Sequence, residues 1–134
     1  PDLHDVDLQT ALEDLAAQYE PAMGTSVQVS PELDSRRAEF GDDIVLAVYR
    51  VVEQCLMNAA QHGRAQHTRV SVSLDGSLIV ITVTDDGSGA PGSRRQGLGS
   101  AVLTTWTRLF DGEWSLSNGI QGGAVVRVTL QVPA

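Results

Sequence analysis

Apolar residues first recur at helical spacing between Leu8 and Tyr19. Leu8, Ala11, Leu12, Leu15, Ala16 and Tyr19 fall on one stripe, and Asp7 stands where a cap is wanted. Pro21 and Gly24 end that helix. Val27 and Val29 alternate with polar neighbours up to Pro31, which predicts a short strand. Residues 31 to 41 are polar, hold Pro31 and Gly41, and read as a loop. A long helix is predicted from Asp42 to His62. Ile44, Val45, Val48, Val51, Val52, Cys55, Leu56, Ala59 and Ala60 give it a wide apolar face, Asp42 or Asp43 can cap it, and Gly63 suits the left-handed position beyond. Val70, Val72 and Leu74 then alternate. Asp75-Gly76 makes a tight hairpin turn into a nearly continuous apolar strand, Leu78 to Thr84. The glycine-rich stretch from Asp85 to Gly99 has no period. A helix from Leu98 to Phe110 follows, then strands at Glu113–Ser117 and Ala124–Val132 around a turn at Asn118-Gly119. Hairpin-linked strands with helices on one face predict an α/β fold, a two-layer α/β sandwich in one domain.

Composition narrows what this fold can do. There are 134 residues, enough for one domain with a real core, and 42% apolar with 19% charged is ordinary for a globular protein. Acidic residues outnumber basic ones 17 to 9, for a net charge of −8, which argues against nucleic acid as a partner. Every basic residue is arginine. Without lysine there is no Walker A phosphate loop, no protein-kinase strand lysine and no pyridoxal Schiff base. The single Cys55 allows neither an internal disulfide nor a cysteine cluster for metal. No run is long enough to span a membrane and no signal-peptide pattern is present, so a cytoplasmic domain is expected, whether or not a longer protein is membrane-anchored. The chain begins at Pro1 and reads as a fragment of something larger.

Three segments could carry chemistry. At the end of the long helix, Gln54, Asn58, Gln61 and His62 share a polar edge. An amide oxygen there can enter the octahedral oxygen shell of Mg²⁺, although a solvated helix edge explains the same residues. Asp85-Asp86-Gly87-Ser88-Gly89 follows a buried strand. A carboxylate at that exit can accept from an exocyclic amine, and the glycines admit a flat ring, while a plain surface turn uses the same residues. Gly97-Leu98-Gly99 opens a helix whose first amides could hold phosphate oxygens without lysine.

In this order the segments resemble the GHKL (Bergerat-fold) ATP-binding domains of histidine kinases, type II topoisomerases, Hsp90 chaperones and MutL. Asn58 matches the N box, Asp85 to Gly89 the G1 box, and Gly97 to Gly99 the G2 box. Gly122-Gly123-Ala124 looks like the family's terminal Gly-Gly-Thr strand. Val51 to His62, read with Leu3 to Leu15, is most similar to sensor histidine kinases that pair with LuxR-type response regulators. The resemblance implies a mixed sheet covered on one face by helices. It implies ATP and Mg²⁺ as cofactors, with Asn58 ligating the metal and Asp85 binding the adenine amine. Gly87 and Gly89 would shape the adenine pocket, and Gly97, Leu98 and Gly99 would meet the phosphates. Residues 90 to 99 would form a lid, His62 would match the histidine four beyond the Asn, and Arg94 and Arg95, then Arg64, would supply cations.

Three positions depart from the family pattern. Gln54 stands where relatives carry a catalytic Glu, and Glu53 beside it points about 100° away around the helix. Gln61 replaces a frequent Lys or Arg, and Ala124 replaces the strand Thr. The resemblance implies transfer of the γ-phosphate to a histidine on a separate dimerising domain, then to a response regulator, within a homodimeric full-length kinase. Gln54 and Asn58 are the catalytic candidates, and residues 1 to 7 would be a linker remnant. A degenerate nucleotide-binding pseudokinase and an anti-sigma-factor serine kinase stay open beside it.

Overall fold

The computed structural model describes residues 2–19, 23–61, 64–87, 98–120 and 122–133. Its elements run α1 (Leu8–Ala17), β1 (Gly24–Val29), α2 (Pro31–Ser35), α3 (Arg37–Phe40), α4 (Asp42–Gln61), β2 (His67–Asp75), β3 (Leu78–Asp85), α5 (Leu98–Leu109), β4 (Glu113–Asn118) and β5 (Ala124–Gln131). The five strands form one sheet in the order β1-β2-β3-β5-β4. Only β1 and β2 are parallel, so the sheet is mixed.

Burial alternates along the strands because side chains alternate between faces. In β3, Ile79, Ile81, Val83 and Asp85 are buried, while Leu78, Val80, Thr82 and Thr84 are half-buried. The first set faces the helices and the second lies on the open face. α4 packs across β2, β3 and β5 and also meets α1 and α5. Its apolar face is fully buried at Ile44, Val48, Val51, Val52 and Leu56. The predicted two-layer sandwich, with helices on one face of a mixed sheet, is the fold observed.

Two local expectations are corrected. Residues 31 to 41 are not a loop. Pro31 starts α2 from the first helical turn, where its missing N–H costs nothing, and Leu33 and Phe40 are buried anchors too sparse to show a period. Nor do Asp42 and Asp43 cap α4. Both lie inside its first turn, where carboxylates still favour the positive helix end. Gly63 lies outside the described residues, and Arg64 takes a left-handed conformation with φ 52°.

Side chains seal the margins. β1 is an edge strand, and α1 covers part of that edge: Gln9 Nε2 donates to the Val27 carbonyl at 2.8 Å, and Gln9 Oε1 accepts from Val29 N–H at 2.8 Å. Asp7 caps α1 by accepting from Thr10 N–H at 2.7 Å. On α3, Arg37 donates to the carbonyls of Leu3 and Val6, and Asp34 accepts from Leu8 N–H, so the segment ahead of α1 is tied to the domain.

Candidate nucleotide site

α4, which carries Gln54 and Asn58, packs on the sheet face that Asp85 shares at the end of β3. Asp85 is the last residue of β3 and is only 6% exposed. It faces the helices and pairs across the ladder with Thr68 and Ala124. Its Oδ1 accepts from Gly87 N–H at 2.8 Å and from Ala124 N–H at 3.4 Å. Oδ2 has no partner among the described residues. A buried carboxylate whose Oδ1 is oriented by two amides still has lone pairs on Oδ2 with which to accept from a ligand donor.

Cys55 links α4 to that carboxylate. It is buried, and its thiol is pushed up to about 12, first by burial and then by the charge of Asp85. Asn58 follows three residues later, on the same side of the helix. Gln54 Nε2 donates to Asn58 Oδ1 at 3.1 Å, which restrains the amide. An amide oxygen has a second lone pair, so Asn58 Oδ1 can still ligate a hard cation. Among the described residues no three His, Cys, Asp or Glu side chains cluster as a metal cage.

Gly99 is the second residue of α5, so the amides of Leu98 and Gly99 belong to the helix's first turn, where a helix offers its N–H groups to a ligand. His62, Gly89, Arg94, Arg95 and Gly97 lie outside the described residues, as does the rest of the lid expected over 90 to 97. Gly87 is the last described residue of the G1 segment.

Two site residues carried too weak a signal in the sequence. Gly123 has φ 76°, and a Cβ there would collide with the Asp85 carbonyl oxygen. The Gly-Gly pair hinted at this, but no periodicity shows that β5 must start against the end of β3. Asp86 reads as the variable position of the G1 box. In the structure its Oδ1 accepts from Gln66 N–H at 2.8 Å and His67 N–H at 2.9 Å, and Oδ2 meets His67 Nδ1 at 2.7 Å. Asp86 therefore pins the G1 segment to the start of β2.

Known proteins point the same way. Residues 43–134 match the family model described as histidine kinase-, DNA gyrase B-, and HSP90-like ATPase. The oxygen sensor histidine kinase NreB of Staphylococcus carnosus is 29% identical over 98% of this chain, which spans 38% of that protein. The ATP binding domain of PrrB from Mycobacterium tuberculosis superposes with TM-score 0.72 at 25% identity, over 96% of each chain. A blue-light activated histidine kinase of Erythrobacter litoralis gives TM-score 0.77 at 22% identity, over 93% of this chain and 42% of that one. With the mixed sheet, the buried Asp85 and the Asn-bearing α4 in the same order, the chain belongs to the histidine kinase-, DNA gyrase B-, and HSP90-like ATPase family.

Proposed function

We propose that this domain binds Mg·ATP between α4 and the β3–β5 end and presents the γ-phosphate to a histidine on a separate dimerising domain. The chain is the catalytic ATP-binding domain of a sensor histidine kinase. The observation that carries the binding site is Asp85, buried at a strand end with its Oδ1 held by the amides of Gly87 and Ala124. Its Oδ2 would accept from the adenine amine. Gly87 and Gly89 would leave room for the ring, and the α5 amides with Gly97, Leu98 and Gly99 would receive phosphate oxygens.

Asn58 would hold Mg²⁺, which when bound neutralises charge on the triphosphate. Gln54 would keep the Asn58 amide turned for that task. It cannot accept a proton as a Glu would, so transfer rests on positioning and charge rather than on a base from α4. Arg94, Arg95 and His62 are proposed as further contacts to the nucleotide. Residues 1 to 7 would join the domain to the dimerising helices, and the cognate regulator would be of the LuxR type. NreB, similar along nearly the whole chain, supports that pairing.

Calorimetry of Asp85→Asn tests the adenine contact. A hydrogen bond to a buried charge is worth about 1.5–3 kcal/mol, so affinity should fall about 10- to 100-fold while the fold survives. Unchanged affinity would remove Asp85 from the site. Asn58→Ala should abolish the strengthening of ATP binding by Mg²⁺. Supplying labelled ATP to the full-length protein should give acid-labile, alkali-stable label on a histidine. Intact ATP binding without label would favour the pseudokinase reading, for which Gln54 and Ala124 speak.

A further inference from the structure

Residues 2–7 lie ahead of α1, and the fold devotes an arginine to them. The side chain of Arg37 on α3 is only 17% exposed, and a mostly buried guanidinium needs its donors met. Both of its terminal nitrogens go to this one segment: Nη1 donates to the Val6 carbonyl and Nη2 to the Leu3 carbonyl. Asp34 on α2 completes the clasp. Its Oδ1 lies 3.8 Å from Arg37 Nη1 and accepts from Leu8 N–H at 2.9 Å. Leu3 and Val6 are partly buried and pack against the edge of the core.

The clasp, rather than close packing, holds the outer part of the segment. An open cavity of about 210 Å³ is lined by Asp2, Leu3 and His4 of the segment and by Asp42, Asp43 and Leu46 of α4. His4 Nδ1 meets Asp42 Oδ2 only at 3.8 Å, with both side chains exposed, and such a pair contributes little. α3 leads into α4 through Gly41, which has φ 86° and returns its N–H to the Arg37 carbonyl at 3.3 Å. Phe40, buried just before that turn, anchors α3. Segment, clasp and α4 are therefore joined. α4 is 20 residues long, about 30 Å, and carries Gln54 and Asn58 toward its other end. The position of residues 2–7 is thus fixed relative to the Asn58 end of a rigid helix.

We propose that Arg37 and Asp34 are positioning residues for phosphoryl transfer: by clasping residues 2–7 they set how the domain hangs from the dimerising helices, and so where the γ-phosphate meets the acceptor histidine. This role presupposes that residues 1 to 7 lead to that dimerising domain. Neither side chain has a part in holding the nucleotide, so their loss should act on transfer and not on ATP affinity. A plain tether would behave otherwise: its loss would lower Tm and leave transfer by the folded protein unchanged.

The test compares the full-length protein as wild type, Arg37→Ala, Arg37→Lys and Asp34→Ala. Three quantities are read: ATP affinity by calorimetry, the rate of acid-labile histidine labelling at saturating ATP, and hydrogen exchange. Residues 3–8 should be protected in the wild type and released in Arg37→Ala, while α4 stays protected and so verifies folding. Labelling should fall about tenfold or more in Arg37→Ala and Asp34→Ala, with ATP affinity within about twofold of wild type. Arg37→Lys should keep part of the rate, because an ammonium still donates but has no fork for two carbonyls. If Arg37→Ala does not fold, Asp34→Ala and Arg37→Lys carry the comparison. Fast exchange of residues 3–8 in the wild type, an unchanged or raised rate in a released variant, or a fall that only tracks ATP affinity or Tm would each overturn the role. Wild type that binds ATP without labelling a histidine would overturn the kinase reading and this role with it. Normal labelling in wild type and variants alike would overturn this role alone.

Discussion

Cys55 shows how far one residue's chemistry depends on its neighbours. Burial first, and then the charge of Asp85, push its thiol up to about 12, so almost no thiolate exists at neutral pH. Native protein should resist iodoacetamide, with a single adduct by mass only after denaturation. Ready alkylation of the folded domain would mean that this part of α4 is open. Asp86 moves the other way. The His67 amide, then the His67 ring, then the Gln66 amide hold its carboxyl down to about 2. Its folded value lies below the unfolded one of about 3.9, so its stabilisation is present above that value and is lost as pH falls toward about 2. The difference in urea midpoint between wild type and Asp86→Asn should therefore shrink as the pH is lowered through this window. A difference independent of pH would mean that the charge of Asp86 is not what stabilises.

Among the elements, the strand junction at the site is the least tolerant of change. Gly123→Ala would place a methyl against the Asp85 carbonyl in a left-handed backbone, so β5 could no longer start beside the end of β3. Loss of ATP binding with a marked fall in Tm is expected. Gly76→Ala, with φ 60° and open space around it, should cost only the left-handed penalty of about 1–2 kcal/mol and leave ATP binding intact. Equal effects of the two would show that no close approach operates at Gly123. The edge of β1 makes a softer prediction. Gln9→Ala removes partners from the Val27 carbonyl and Val29 N–H, and should lower stability by about 1–3 kcal/mol in urea unfolding. The long periodic elements were legible: α1, α4 and the β2–β3 hairpin follow their apolar patterns within a few residues. Residues 31 to 41 were not, because two short helices with one buried anchor each leave no repeat to count.

At the scale of the whole molecule, the described residues contain no helix long and apolar enough to cross a membrane. The chain spans 38% of its relative NreB, so catalysis is a property to measure in the longer protein. There the Gln54–Asn58 contact carries a directional prediction. Glu cannot donate to Asn58 Oδ1, but it can accept from Nδ2, which would free that oxygen, and it can take a proton. Gln54→Glu in the full-length kinase should raise phosphoryl turnover by about tenfold or more, since general bases contribute at least that much. An unchanged rate would show that no base is wanted at this position, and a lower rate that the Gln54 donation to Asn58 Oδ1 is what counts.

The sequence by itself determined the α/β class, the helical and strand periods and the order of the three boxes, because these follow from local spacing. It also determined that no lysine could serve the phosphates. It placed Asn58, Asp85 and Gly87 in a candidate site because their residue types are chemically specific. What only the tertiary structure decided are relations between distant segments: Asp85 held by Ala124, Cys55 raised by burial and then by the charge of Asp85, Asp86 anchoring β2, and Ser26, Arg69 and Thr84 lying in one row. Such relations depend on strand register, and a shift of one residue would turn every side chain to the other face.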